Sequence, residues 1–255
     1  MMTLSIKDVK CYSYNGDCET STTFLSNGQA MALGLSSYEQ NDGYLDLADL
    51  ACKLSSKSTR TDSEGGSAES LVETYLVGNH LYTCDNKEWR RCVVSDSASA
   101  IEERDDLKSL TSMIAGSEVE LAGSEQIDGE TCYKLMVIPD PEVSRRILAS
   151  QELIARSASP LMLPDADLET LASNDDLQNE EIVWTAWVSA DDHILRRVVS
   201  EMTLSLTPES QHPPEEIKDL RVESASQKVT TFSGFNEKKP VVLPNEARYA
   251  KTISA

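Results

Sequence analysis

Residues 72–94 read VETYLVGNHLYTCDNKEWRRCVV, and no other stretch restricts the possible folds as much. Gly78-Asn79 separates two β-rich runs, a two-residue hairpin signal. A turn there sets Leu76 opposite Leu81 and Tyr75 opposite Tyr82. Residues 85–88 make a second turn, which brings Trp89 back opposite Cys84. Such apolar and aromatic cross-strand pairs each stabilise an antiparallel sheet by roughly 0.2–1 kcal/mol. The stretch is therefore expected to be a three-strand meander in the middle of a sheet.

The rest of the chain repeats the theme. Residues 6–24 read as a strand with a turn or irregularity near Asn15-Gly16. Residues 29–35 form a second apolar run, and 44–59 a third with partial period two. Residues 61–68, TDSEGGSA, are a turn. The period becomes helical toward Ala115, with Leu107, Leu110 and Ile114 at i, i+3 and i+7. Asp105 and Asp106 sit in that helix's first turn and Gly116 marks its end. Residues 119–138 form a hairpin about Asp128-Gly129, a type I′ pair. Helices are expected over 142–157 and 163–173, the first amphipathic. Residues 181–188 and 194–206 form another hairpin, turning at 190–192. Its first strand is apolar on both faces, as in a strand covered on both sides. Residues 220–231 form a last strand, which the tail ends.

At 255 residues, 40% of them hydrophobic, the chain can bury a substantial core. Its 43 acidic and 23 basic residues give a net charge of −20. That balance disfavours nucleic acid, whose phosphates need clustered Lys and Arg, and disfavours anionic lipid headgroups. The acidic surplus reads as a solvated surface. No signal peptide is visible in MMTLSIKDVKCYSY. Six cysteines contain no C-x-x-C, and His80, His193 and His212 stand apart, so no metal site and no cofactor are expected. Cys11 and Cys18 have opposite parity on one strand and face opposite sides. For the six as a set, disulfides and free buried thiols both stay open.

Four pieces, in order, resemble the LolA/LolB and LprG/LppX-like lipoprotein carrier superfamily, its archaeal surface-lipoprotein members in particular. They are VKCYSY near the start, the meander TYLVGNHLYTCDNKEWRR, the hairpin VELAGSEQIDGETCYKLMV, and AWVSADDHILRRVVSEMTL followed by FSGFNEKKPVVLPNEA. They resemble the family's opening strand, its Y-x-x-(G/D)-N-x-x-Y … W hairpins, its E-x-x-n-G-x-x-c-Y hairpin and its closing strands. The resemblance implies an α+β fold with one domain over 1–255. That fold is a single curved antiparallel sheet, an incomplete β-barrel or half-pipe, with helices on its concave face. It also implies an acyl-chain cavity lined by Leu, Ile, Val and Trp, and an extracytoplasmic location at the cell surface or envelope. Family members carry a signal, often with a lipid-modified Cys, and a helix before the first strand. This chain opens a few residues before VKCYSY. It is therefore expected to be truncated, called from a late start, or a cytosolic paralogue, with membrane association through an anchor that is missing here. Near Leu195-Arg196 it lacks the family's Pro, which leaves that strand's edge geometry open.

The expected function is non-catalytic binding of a lipid or other apolar small molecule by an extracytoplasmic carrier or receptor. Candidate lining residues are Leu81, Leu135, Val137, Ile182 and Trp184, each of which could equally be ordinary core. The alternative is an envelope or protein-interaction module with a filled core, its protein partner unknown. A cavity under about 300 Å³ would favour that second reading. An enzyme is not expected. No G-x-S-x-G, H-E-x-x-H or Walker A is present, and Asp105/Asp106 and Asp191/Asp192 occupy a helix start and a turn, where carboxylates cap.

Overall fold

The structure, a computed structural model, describes residues 4–140, 181–206 and 220–253. The helices expected over 142–157 and 163–173 lie outside the described residues. The strands are β1 (Cys11–Ser26), β2 (Gln29–Asp46), β3 (Ala51–Asp62), β4 (Ser67–Val77), β5 (His80–Asp85), β6 (Glu88–Val93), β7 (Glu118–Ile127), β8 (Glu130–Ile138), β9 (Glu181–Ser189), β10 (Leu195–Leu206), β11 (Leu220–Ser233) and β12 (Lys251–Thr252). They form one large open sheet in the order β12-β6-β5-β4-β3-β2-β1-β11-β10-β9-β8-β7. Two helices, α1 (Ser97–Glu102) and α2 (Asp106–Ala115), join β6 to β7. Strands neighbouring in sequence pair antiparallel from β1 to β6 and from β7 to β11. The long-range join is β1 with β11, from Ser13↔Ser233 to Ser26↔Leu220.

Turn chemistry places the hairpins where the sequence expects them. Tyr75 pairs with Tyr82, Leu76 with Leu81 and Cys84 with Trp89. At the β7–β8 turn Asp128 and Gly129 have φ of 49° and 84°, the two left-handed residues a type I′ turn requires. The β9–β10 hairpin turns at 190–194.

Three expectations are corrected. There is no turn at Asn15-Gly16: β1 runs through, pairing Asn15 with Asp42 and Gly16 with Asn41. Gly16 is there for close packing, since a Cβ would lie 3.2 Å from the Val229 carbonyl oxygen. The run 44–59 is two strands. Asp46 Oδ1 accepts from Ala48 N (3.1 Å) and Asp49 N (2.9 Å), and this Asx turn ends β2. The helix expected between Asp105 and Gly116 is α2, and a further short helix, α1, precedes it. Asp96 caps α1 through Ala98 N and Ser99 N, and Asp105 caps α2 through Lys108 N. The sheet is not wholly antiparallel either, because β12 pairs in parallel with β6.

Period two divides the sheet into two faces. Tyr12, Leu45, Cys52, Leu76 and Phe232 face the helices. They share one core with Ile101, Leu107 and Ile114 from the helices and Val137, Trp184 and Ala186 from β8 and β9. Tyr12 stacks edge-on to Phe232 at 5.8 Å. The opposite face has its own smaller core, built by the tail after β11. Asn236 N donates to Cys11 O (2.8 Å), Lys239 N donates to Tyr44 OH (2.9 Å) and Ile253 N donates to Arg91 O (2.9 Å). The tail thereby buries Cys11, Tyr44, Tyr75, Cys84, Ala247 and Ala250. All six cysteines are free thiols, four of them buried.

Candidate functional site

The helix-bearing face carries the candidate lining residues. Leu135 and Val137 on β8 pair with Ala186 and Trp184 on β9. Ile182 lies two residues before Trp184 on the same face, next to Met202 of β10. All of these are buried. Leu81 shares that face through its pairing with Leu76 and packs against the core, but it sits far across the sheet order. The structure thus gathers four of the five candidates on β8 and β9 and leaves Leu81 apart. Within this wall, Trp184 is only 3% exposed, and its Nε1 donor finds no hydrogen-bond partner among the described residues.

The wall is apolar on one side only. Across the middle strands, the register aligns Ser200, Lys228, Cys18, Glu39 and Ser58 in one row on the same face. Glu39 accepts from Ser56 Oγ at 2.8 Å. Apolar side chains on this face are therefore concentrated on β8, β9 and the zone against the helices, while the middle strands are polar. Thr20 and Thr22 of β1, Ser56 of β3, and Ser224 and Ser226 of β11 extend the polar zone beside this row.

Helix α2 is tied to this face by a buried contact. Tyr12 OH donates to Asp105 Oδ1 (2.9 Å) and accepts from Leu107 N (3.3 Å). Burial first, and then the Asp105 charge, pushes the Tyr12 phenol far above its ordinary range. Tyr14 moves the same way through burial and the Asp106 charge. Burial also raises the Asp106 carboxyl, partly opposed by Lys228.

Near Leu195-Arg196 the β9–β10 register slips by one residue. Arg196 is the extra residue of this bulge, which re-aims its side chain. Its Nε and Nη2 reach Glu130 (2.7 and 2.9 Å), Nη2 also reaches Asp192 (2.7 Å), and the guanidinium lies 4.6 Å from the Phe235 ring centre. These contacts tie two hairpin ends to the tail. The Arg196 hydrogen bonds hold the Glu130 carboxyl below its usual range.

Sequence reasoning did not find two clefts that the described residues form on the opposite face. One, of about 600 Å³, crosses β3, β2, β1, β11 and β10. The other, of about 870 Å³, lies between β3–β6 and the tail, against Leu71, Trp89 and Pro244. None of the five candidates lines either cleft. The available signal was the alternating polar string Asp17, Glu19, Ser21, Thr23, which marks a solvent-facing sheet surface. Among the described residues no helix is long and apolar enough to cross a membrane, and no group of three or more His, Cys, Asp or Glu is placed to hold a metal ion.

No family model matches the sequence, and no curated protein matches it. Among solved structures the chain is similar to the Mycobacterium tuberculosis lipoprotein LppX, at TM-score 0.37 and 13% identity over 92% of this chain and 91% of that one. It is similar to LprF from Mycobacterium bovis at TM-score 0.39 and 13% identity, over 91% and 89%. It is also similar to a putative outer membrane lipoprotein-sorting protein domain from Vibrio parahaemolyticus, at TM-score 0.20 and 7% identity over 89% and 87%. Scores this low carry nothing about function.

Proposed function

We propose that this protein binds an apolar ligand bearing a hydrogen-bond acceptor, such as a lipid ester, on the helix-bearing face of its sheet. The observation that supports this reading is the buried Trp184 indole, whose N–H has no acceptor among the described residues. A buried donor left unpaired costs about 1–3 kcal/mol, and a ligand carbonyl against the β8–β9 wall would remove that cost. On this reading the helix-bearing face is the concave one. Leu135, Val137, Ile182 and Trp184 contact the ligand, and Leu81 closes the far side. The role is that of a carrier or receptor outside the cytoplasmic membrane. That location, and the kinship with archaeal surface lipoproteins, rest on the four sequence pieces that resemble the carrier superfamily.

A second reading is favoured by a different observation. The candidate residues on β8 and β9 are buried, as they would be in a filled core that takes no ligand and serves an envelope or protein-interaction role. The deciding experiment is native mass spectrometry of the purified protein followed by solvent extraction. The first reading expects a stoichiometric lipid, and weaker retention of it by Trp184→Phe, which keeps an aromatic ring and loses the donor. An empty protein that also takes up no apolar fluorescent probe refutes that reading in favour of the second.

A further inference from the structure

We infer that the 600 Å³ trough on the opposite face is a binding site for a neutral oligosaccharide. The register builds it from two rows that run across five strands. One row is Thr59, Tyr38, Glu19, Gln227 and Glu201, and the other is Thr61, Ser36, Ser21, Ala225 and Thr203. Strands spaced about 4.8 Å apart make each row roughly 19 Å long. Small side chains at Ser21, Ser36 and Ala225 keep the second row low, while the first row carries every large side chain of the two. The result is a groove at right angles to the strands, long enough for an extended chain of sugar rings.

The groove's chemistry selects its occupant. No Lys, Arg or His lines it and two Glu do, so a phosphate, sulfate or carboxylate ligand would be repelled. The side chains of the rows end mostly in hydroxyl, carboxylate and amide groups, which a lipid tail would leave without partners. The carboxylates are spread along one row, and no cation-binding cluster forms among the described residues. A polyhydroxylated neutral ligand fits what remains, since each carboxylate has two oxygens to accept from neighbouring hydroxyls.

Two further features point the same way. Tyr38 is 41% exposed and supplies the aromatic ring of the trough, and its OH donates to Asp17 Oδ1 at 2.6 Å, which fixes the ring. An exposed ring held in place offers its electron-rich face to sugar C–H groups. Gln227 Nε2 donates to Glu201 Oε1 at 2.7 Å, which orients that carboxylate and leaves its second oxygen for a ligand. Both acceptors are pre-set, so little side-chain ordering is lost on binding.

The test is an amide-resolved NMR titration of the full chain with neutral hexasaccharides of glucose, mannose, galactose and N-acetylglucosamine, taken into the millimolar range. The expected result is saturable shifts at Glu19, Tyr38, Glu201 and Gln227 with at least one sugar. Tyr38→Ala and Glu201→Ala should each weaken binding roughly tenfold, while Leu71→Ala in the other cleft leaves it unchanged. All three side chains are exposed, so matched thermal melts are expected to show that the variants fold. No saturable shift with any of the sugars, or binding that neither trough substitution weakens, overturns the inference. Neither outcome bears on lipid binding at the helix-bearing face.

Discussion

Replacing Tyr12 by Phe tests how α2 is held on the sheet. Tyr12 is fully buried and Asp105 is 6% exposed. The phenol donates to Asp105 Oδ1 and accepts from Leu107 N. Leu107 is in the first turn of α2, where a backbone N–H has no helical acceptor. The substitution keeps the ring and its packing and removes both bonds. A hydrogen bond to a charged group contributes about 1.5–3 kcal/mol, and a buried unpaired N–H costs about 1–3 kcal/mol. Asp105 keeps its bond from Lys108 N, which limits the damage. We expect a loss near 3 kcal/mol, lowering Tm by about 6–12 °C in a chain of this size. Urea unfolding followed by circular dichroism reads the loss. A cycle with Asp105→Ala isolates the contact, with an expected coupling of about 1–2 kcal/mol. A coupling near zero would refute the reasoning, because the loss would then come from packing alone. The pH dependence adds a second check. The unfolded phenol ionises near pH 10.0, and the folded one well above it. The contribution is therefore intact below pH 10 and is lost as pH rises beyond it, at up to about 1.4 kcal/mol per pH unit. Tyr12→Phe should show a correspondingly shallower alkaline decline.

Gly43→Ala should destabilise strongly, because the new Cβ would lie 2.0 Å from Tyr14 Cε1. Overpacking of this kind costs about 1–3 kcal/mol, and adding Tyr14→Leu should recover part of it in the same urea assay. Arg196→Ala removes the partner of a partly buried Glu130 and should cost about 1–3 kcal/mol at neutral pH. Arg196 lowers the folded Glu130 pKa from an ordinary value of 4.5, so this contribution is present above about pH 4.5 and fades as pH falls through the folded value. Melting curves of the two proteins should therefore converge in acid. A gap that persists there would show that Arg196 acts mainly by packing on Phe235.

How much could be read in advance divides along the range of the interaction. Gly78-Asn79 and Asp128-Gly129 dictate their own backbone geometry, so the pairings of Tyr75 with Tyr82 and Ile127 with Glu130 follow from neighbouring residues. Asp105 and Gly116 bound α2 for the same local reason. The Asx turn at Asp46 was passed over because Leu45 and Leu47 imitate strand alternation across it. Gly16 imitated a turn because close packing against Val229 and a turn both call for glycine.

The candidate wall was half legible. Ile182 and Trp184 stand two apart, so the sequence puts them on one face, but it could not supply Leu135 and Val137 as neighbours or set Leu81 at a distance. The two clefts on the opposite face were invisible, since each is assembled from strands or a tail brought together only by folding.

The sequence by itself determined the hairpins at Gly78-Asn79 and Asp128-Gly129 and the parity of residues along each strand, because turn conformation and the two-residue period are local properties of the backbone. Only the tertiary structure decided that β11 closes on β1, that α1 and α2 cover the Tyr12 face, and that the tail packs over Cys11 and Tyr44 on the other. Those choices depend on which face finds a partner 93 to 226 residues away, and a strand with usable residues on both faces does not encode that partner locally.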